Sequence, residues 1–578
     1  MSDLYSKASL VMNPQLVDTG KVYSIKPEDR KGDFTFTRSS AATRVNADGL
    51  VEKETQNLLL QSNQFDTTWD DSSVITLTSG QTGYDGSSDA WKLAKGAASS
   101  FLYQSITTSG VNTFSLYAKA DTTNWIMLQV SAIASVRTFF DLSNGVLGSS
   151  LSNVINAKIE SIGNGWYRCS FTYNGNAGAV RVFPADGNND TSGTSGSIYI
   201  QDAQLEQGLV ARDYIETTTT AVEGGITDNV PRLDYTDSSC PALLLEPQRT
   251  NLIESSEFFD DGGYGFTNLN REAYSTISPE GVQNAYKLIP NTTNGVHLMT
   301  NTTSNNAVYS VFAKQGGYKR FRFNSGSSGD GFASYDLNLG QVVGSGGTYY
   351  IDSGIVDYGN GWYRCYLVLG ATAGLTTTMA IEDNSGSVAF IGDGTSGIYV
   401  YGMQAEAGSY ATSYIPTYGS SVTRVGETCG NAGNASTFNS TEGVLYAEIE
   451  ALDNTGGLRL MQLSDGSNNN RVSLYYDGNS QAIYSNVVIN NSANPLIHSI
   501  TITDYIKVAV TWRENYFSLW VNGTEVSSDT NGSTFPANTL NVFNLSLNGI
   551  YPFLGNVKQI ITFNTTLNNQ ELATLTTT

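Results

Sequence analysis

The chain contains a long internal duplication, and this feature limits its possible folds more than any other. The seven residues GNGWYRC occur at 163–169 and again at 359–365. Other segments also match, and the number of residues between the two members of each match rises in small steps along the chain. This indicates two collinear copies of one module with short loop insertions. Matches at offsets of 194 to 200 residues include NLLLQSNQFD at 57–66 with NLIESSEFFD at 251–260, FSLYAK at 114–119 with YSVFAK at 309–314, and SIYIQDAQLEQG at 197–208 with GIYVYGMQAEAG at 397–408.

The two copies, residues 56–217 and 251–417, each have the size of one domain. Within each copy, segments of alternating polarity are separated by turns rich in Gly and Asn. Pairs such as Asn144–Gly145 and Asp330–Gly331 favour β-hairpins because both residues tolerate positive φ. No helical periodicity of useful length occurs. The pattern therefore predicts an all-β chain in which the two copies are tandem jelly-roll β-sandwiches.

The last part of the chain, residues 430–578, has a different pattern. Its segment 506–526 predicts two strands joined by a short turn, with apolar residues alternating along each strand. Asn568 or Asn569 is placed to cap a closing helical turn that contains Glu571. The strand–turn–strand ending in VNG and the tail LNNQEL resemble laminin-G-like and concanavalin-A-like domains. This resemblance implies a third sandwich.

Residues 1–55 and the connecting segment 218–250 carry motifs outside the duplicated regions. These motifs are GDFTFTRSSAATRVNADGLVE and NVPRLDYTDSSCPALLLEPQRTNLI. With the terminal domain, they resemble a group of surface proteins of tailed bacteriophages. The resemblance implies an N-terminal virion-attachment head, a linker that packs with this head, and modules of the carbohydrate-binding type. The chain departs from the group's arrangement because its first module lies between the two motifs.

The same resemblance implies a function and partners. Proteins of this group build virion fibres, tail-associated adhesins or capsid-surface proteins. We therefore expect a virion structural protein, in contact with other virion proteins and with host-surface glycans, and a homo-oligomer for which a trimer is favoured. A receptor-binding tail fibre is the first interpretation. The alternative is a capsid-attached decoration or head fibre with a structural or weakly adhesive role.

The charge and hydropathy of the chain exclude two classes of partner. Acidic residues outnumber basic residues 53 to 31, which gives a net charge of −22. Such a surface repels nucleic acid and anionic membranes. No apolar run approaches the ~20 residues of a membrane-spanning helix, and the N-terminus lacks the pattern of a secretory signal. We expect synthesis in the host cytoplasm and no membrane insertion.

Histidine and cysteine offer little for catalysis. The only histidines are His297 and His498, and neither has metal-site spacing or a nearby nucleophile motif. A zinc or Ser–His–Asp hydrolase is therefore disfavoured, and we expect both histidines to be solvated. The four cysteines are widely spaced and contain no CxxC pair, so a disulfide framework is not expected.

Carboxylates leave one enzymatic alternative, a glycan depolymerase, because a glycosidase needs only two of them. Glu448 and Glu450 share one strand face but lack a further acid nearby, which favours a paired surface strand. The duplicated Glu206 and Glu406 follow an alternating strand in each copy, which favours a structural hydrogen-bonding role. We therefore predict no catalytic residue and no enzyme.

No cofactor is predicted, and structural calcium is the one open alternative. Residues 185–196 and 382–397 supply Asp, Asn and backbone carbonyl groups, which suit a hard cation. Neither segment has the spacing of an EF-hand loop. Turn formation alone also explains these residue types.

Aromatic residues are the candidates for glycan contact, since their rings pack against the apolar faces of sugars. In both copies of GNGWYRC, alternation puts Tyr and Cys on one strand face and Trp and Arg on the other. The first face predicts core, with buried free thiols at Cys169 and Cys365. The second is either a structural corner, with Arg against the indole ring, or a ligand platform. Trp125 lacks a Trp counterpart in the second copy, and Trp520 has polar neighbours that favour exposure. The candidate residues are Trp125, Trp166, Arg168, Trp362, Arg364 and Trp520.

Overall fold

The computed structural model describes residues 2–72, 74–131, 136–236, 238–303, 308–325, 330–370, 376–452, 457–500 and 504–577. Within these ranges the regular secondary structure is almost entirely β-strand, as predicted. The described helices are α1 and α2, and neither is long and apolar enough to cross a membrane.

The elements are numbered in chain order through three regions. The N-terminal segment contains α1 (Ser2–Lys7), β1 (Ala8–Asp18), β2 (Lys21–Lys26), β3 (Phe34–Thr37), β4 (Arg44–Val45) and β5 (Val51–Glu52). The first module contains β6 (Thr55–Asn57), β7 (Asp70–Asp71), β8 (Ile75–Gln81), β9 (Ala90–Lys95), β10 (Leu102–Thr108), β11 (Val111–Ala120), β12 (Trp125–Ser131), β13 (Val136–Asp141), β14 (Val146–Ser150), β15 (Val154–Gly163), β16 (Trp166–Asn174), β17 (Ala177–Ala185) and β18 (Gly196–Gln207). The connecting segment contains β19 (Val222–Gly224), β20 (Leu233–Asp234) and β21 (Ala242–Leu245).

The second module and the C-terminal region complete the chain. The second module contains β22 (Arg249–Asn251), β23 (Tyr264–Thr267), β24 (Leu269–Ile277), β25 (Gln283–Pro290), β26 (Asn294–Val296), β27 (Leu298–Thr302), β28 (Val308–Gly316), β29 (Arg320–Ser325), β30 (Gly331–Asp336), β31 (Gln341–Gly346), β32 (Tyr350–Asp357), β33 (Trp362–Leu369), β34 (Thr376–Glu382), β35 (Ala389–Ile391) and β36 (Gly397–Glu406). The C-terminal region contains β37 (Val422–Arg424), β38 (Thr428–Gly430), β39 (Gly443–Ala451), β40 (Leu458–Ser464), β41 (Arg471–Asp477), β42 (Ala482–Ile489), β43 (Ser492–Ser499), β44 (Ile506–Arg513), β45 (Tyr516–Val521), β46 (Thr524–Asp529), β47 (Val542–Asn544), β48 (Gly555–Phe563) and α2 (Asn569–Thr576).

The two modules are β-sandwiches with the same strand order. Each has two six-stranded antiparallel sheets packed face to face. In the first module the orders are β14-β13-β12-β17-β10-β7 and β15-β16-β11-β18-β9-β8. In the second they are β31-β30-β29-β34-β27-β23 and β32-β33-β28-β36-β25-β24. The duplication read from the sequence is therefore a duplication of one sandwich plan.

The core of each module lies between its sheets, on the predicted faces of the GNGWYRC strands. In β16, Cys169, Phe171 and Tyr173 are buried in the first module's core. In β33, Cys365 and Leu367 occupy the equivalent positions in the second. The predicted buried free thiols are confirmed.

The third sandwich differs from the predicted division of the chain. Its five-stranded sheet, β43-β42-β41-β40-β47, comes from the C-terminal region alone. The opposite sheet also includes β1, β2 and β3, because β1 pairs with β48 through Leu10↔Thr562 and Met12↔Ile560. Strand β21 pairs with another stretch of β48. Residues 1–55 are thus not a separate head, since their first strands complete the C-terminal sheet.

Buried ion pairs hold the segments around this third sandwich. Arg38 and Arg232 both donate hydrogen bonds to Glu427 Oε1, at 2.9 and 2.7 Å. Arg232 and Arg424 each lie 2.8 Å from Glu246 Oε2. The connecting segment packs against the N-terminal segment, because Arg38 also donates to the carbonyl groups of residues 227 and 230. At the chain end, Glu571 N donates to Asn568 Oδ1 at 2.9 Å, so Asn568 caps α2.

Candidate functional site

The two tryptophans of the repeated motif are buried. Trp166 is 1% exposed and packs with Ala90 and Tyr117 on the outer face of its sheet. Trp362 is 2% exposed, packs against Phe312, and donates from Nε1 to Ile277 O at 3.0 Å. Neither indole has a face open to solvent, because further side chains cover both outer faces. Of the two interpretations, the structural one therefore fits both rings.

The arginines of the motif contact rings other than the indoles. Arg168 lies over Tyr117, its cross-strand partner, at 5.4 Å from the ring centroid. Arg364 lies over Phe312 in the equivalent pair, at 5.5 Å. The predicted Arg–indole stack is wrong, because directly paired residues on adjacent strands are closer than neighbours along one strand. Arg364 is buried, whereas Arg168 is only partly buried and borders a cleft.

Trp520 is also buried, at 5% exposure, so its predicted exposure is wrong. Residues of α1 and α2, including Leu4 and Leu572, cover its sheet face. Its Nε1 donates to Ser518 Oγ at 3.1 Å, so the polar neighbour is a hydrogen-bond partner within a packed cluster.

Trp125 is the one candidate tryptophan that stays partly exposed. It lies at the start of β12, on the sheet face that points away from the core. Met127, Phe139 and Phe183 form a small apolar cluster beside it, with Phe101 at the edge. Gly148 approaches the ring so closely that a Cβ there would lie 2.7 Å from Trp125 Cζ3. The indole is therefore held in place on one side.

Two arginines border this apolar cluster, although sequence reasoning did not select them. Arg181 lies over Phe101 at 4.7 Å and donates to Gln129 Oε1 at 3.3 Å. Arg137 lies over Phe139 at 5.9 Å. We call Phe101, Trp125, Gln129, Arg137 and Arg181 the Trp125 face. The strand alternation in VRTFFD and AVRVFPA contained this signal, because it puts Arg and Phe on one face of each strand.

The second module has replaced this surface with an ion network. Arg320 occupies the position of Trp125, since each residue pairs with the Asp that ends the next strand. Arg320 and Arg322 lie 3.3 and 2.9 Å from the oxygens of Glu382, which is fully buried. The two copies therefore share a fold but not this surface chemistry.

The carboxylates proposed as alternatives have structural partners. Glu206 Oε1 accepts from Gln204 Nε2 at 2.7 Å, and Glu406 Oε1 accepts from Gln404 Nε2 at 2.9 Å. Both are buried and close the turn after their strand, which confirms the predicted hydrogen-bonding role. Glu448 lies 3.9 Å from Lys507. Glu450 accepts from Asn556 Nδ2 at 3.0 Å.

The histidine prediction is half wrong. His297 is fully buried between Asn268 O and Phe390 O, at 2.7 and 3.0 Å from its ring nitrogens. A polar side chain can be buried, here between β26 and β27, when both of its polar atoms have partners. His498 is partly exposed on β43.

In the part of the chain that the structure describes, no three His, Cys, Asp or Glu side chains are placed together so that they could hold a metal ion such as calcium. The acids of the two candidate loops serve turns. Asp186 Oδ2 accepts from Gly193 N of its own loop at 2.7 Å and from Lys95 Nζ of β9 at 2.6 Å. Hydrogen bonds from Ser396 and Thr395 lower the pKa of Asp393 to about 2.

Comparisons with known proteins give structural matches only. No protein-family model matches the sequence, and no curated protein matches it. The CBM40 module of a Ruminococcus gnavus IT-sialidase is similar at 16% identity and a TM-score of 0.22, covering 25% of this chain and 93% of that one. Domain 4 of a GH43 arabinanase from Geobacillus stearothermophilus, in complex with arabinotriose, has 16% identity and a TM-score of 0.22, with 26% and 77% covered. The N-terminal CBM22 tandem of Paenibacillus barcinonensis Xyn10C has 10% identity and a TM-score of 0.21, with 64% and 100% covered.

Proposed function

We propose that the protein is a structural protein on the surface of a tailed-bacteriophage virion, and that it contacts host-surface glycans through the Trp125 face. The virion assignment rests on the sequence motifs of the N-terminal and connecting segments. The glycan assignment rests on one observation: a partly exposed indole and two arginines border the same small apolar cluster on an otherwise acidic chain.

The chemistry of the Trp125 face suits a sugar. An aromatic ring packs against the C–H groups of a pyranose, and polar side chains around it fix the orientation through hydrogen bonds. Trp125 supplies the ring at one end of the apolar cluster, and Gln129 and Arg181 supply polar groups at its other end, four positions along β12. Because Gly148 packs against the indole, little side-chain entropy is lost when a ligand binds.

Two measurements test the two halves of this proposal. An antibody against residues 430–578, imaged on purified virions, should label the particle. Labelling of the tail would support a receptor-binding fibre, and labelling of the head would support the capsid decoration. Absence of label on intact virions would contradict the virion assignment.

The glycan half is tested with the full chain on an array of bacterial capsular and lipopolysaccharide oligosaccharides. Binding to a restricted set is expected, and an array without hits would contradict a glycan adhesin. We further propose that the protein does not cleave its ligand. Release of reducing ends from a bound polysaccharide would overturn that part in favour of a depolymerase.

A further inference from the structure

A second surface, remote from the Trp125 face, lies where the two modules meet. Strands β15 and β16 of the first module form one wall, and the β24–β25 hairpin of the second module forms the other. The cleft between them has a volume of about 470 Å³, within the ~300–1,000 Å³ range of small-molecule sites. We call it the inter-module cleft; its polar lining includes Asn156, Lys158, Glu160, Arg168, Ser170 and Gln283.

The duplication supplies an internal comparison for this cleft. Lys158 pairs with Ser170 across β15 and β16, and the equivalent pair in the second module is Gly354 with Tyr366. There the tyrosine ring lies over the glycine, so that a Cβ at Gly354 would be 2.4 Å from Tyr366 Cζ. The cavity beside Arg364 and Tyr366 is correspondingly smaller, about 260 Å³. A small residue at Ser170 thus keeps the first cleft open.

The open cleft is lined by two cationic side chains. Lys158 and Arg168 contribute two positive charges and Glu160 one negative charge, a local positive balance on a chain with net charge −22. Arg168 Nη2 donates to Ser115 Oγ at 3.3 Å and to Arg212 O, whereas its Nε is buried without a hydrogen-bond partner among the described residues. A guanidinium at the edge of the cleft therefore keeps one donor that no atom in the described part of the protein satisfies.

The opposite wall is held by a strained backbone. Tyr274 has φ of +55° at an irregularity in β24, a conformation that is unusual for a bulky residue. Its hydroxyl donates to Leu209 O of the first module at 3.2 Å, which ties the two walls together. Strain of this kind persists where the surrounding structure enforces it, often at binding sites. The cleft is therefore formed before any ligand arrives.

We propose that the inter-module cleft binds an acidic sugar residue, with its carboxylate towards Lys158 and Arg168 and its hydroxyl groups towards Ser170, Asn156 and Gln283. This site is independent of the Trp125 face. An anionic ligand fits because it is attracted to the local positive balance while the remainder of the acidic surface repels it.

The test uses the full chain and a galacturonic acid trisaccharide, with a neutral galactose trisaccharide as comparison, in calorimetric titration. The wild type should bind the acidic probe saturably and the neutral probe more weakly. Ser170→Tyr, which introduces the residue of the second module, should weaken binding of the acidic probe about tenfold. Tyr366→Ser, the reverse exchange in the other module, and Trp125→Ala should leave it unchanged.

A second variant covers the case in which Ser170→Tyr disturbs the fold. The Lys158 side chain is 60% exposed and forms a surface ion pair with Glu160, so Lys158→Met should fold normally. Lys158→Met should weaken binding of the acidic probe and leave binding of the neutral probe unchanged. Absence of saturable binding by the wild type would overturn the proposal, and so would wild-type affinity in Lys158→Met. Loss of binding in Trp125→Ala alone would move the acidic sugar to the Trp125 face instead.

Discussion

The ammonium group of Lys53 lies 2.8 Å from the carboxylate of Glu257, and both side chains are buried although 204 positions separate them. Lys53 belongs to the N-terminal segment and Glu257 to the second module. Glu280 lies 3.0 Å from the same ammonium and also binds Arg212 of the first module. One buried cluster therefore joins three parts of the chain and sets how the two modules face each other.

Replacing Lys53 should be strongly destabilising. Lys53→Met leaves Glu257 without its cation in a buried site, and loss of one partner of a buried ion pair costs about 3–5 kcal/mol. The expected readout is a lower urea midpoint for the transition that includes the second module. Lys31→Met is the matched control, because Lys31 pairs with Asp29 on the surface and should change stability little. Equal midpoints for the two variants would contradict the role of the cluster.

Acid should weaken the same junction. Burial by itself raises the pKa of Glu280, but Arg212 and Lys53 outweigh it and bring the pKa to about 2. A carboxyl whose pKa is lower in the folded state stabilises the protein above its ordinary pKa, near 4.5. That contribution is lost as the pH falls from about 4.5 towards 2. Urea unfolding at a series of pH values should show this decline, and a flat profile would contradict it.

Glu54 should have the opposite pH dependence. Burial, followed by repulsion from Glu223, raises its pKa to about 7. A carboxyl whose pKa is higher in the folded state favours folding below its ordinary pKa, and this advantage is lost as the pH rises through about 7. Glu54→Gln should therefore melt at a higher temperature than the wild type near pH 8, with no gain near pH 4. A gain of equal size at both pH values would exclude titration of Glu54 as the cause.

The four cysteines should differ sharply in reactivity. Cys240 is exposed, whereas Cys169, Cys365 and Cys429 are buried, and burial raises the pKa of each of these three thiols. A buried, protonated thiol is a poor nucleophile. A thiol reagent should label one cysteine of the native chain quickly and all four after denaturation. Fast labelling that persists in Cys240→Ser would contradict the burial of the other three.

The sequence predicted the β-sandwich fold of the two modules because the alternation of polar and apolar residues is visible within each short segment and occurs in both copies. The same alternation predicted that the side chains of Cys169 and Cys365 point into the core. The pairing between β1 and β48 could not be predicted from the sequence, because nothing in the residues near Leu10 specifies a partner strand more than 500 positions away. For a related reason, the exposure predicted for Trp520 was wrong and the choice between a packed and an exposed Trp166 stayed open. Alternation identifies the outer face of a sheet but not the segments that later cover it.

The most direct test of the glycan-binding account is a titration of Trp125→Ala with the neutral oligosaccharide that the wild type binds best on the array. Tyr551→Ala is the matched control, because Tyr551 is 47% exposed on the third sandwich, away from the Trp125 face. We expect the Trp125 variant to keep the wild-type melting temperature and to lose about tenfold or more in affinity, equivalent to ~1.4 kcal/mol. The control should bind like the wild type. Unchanged affinity in Trp125→Ala would contradict the Trp125 face as the glycan contact.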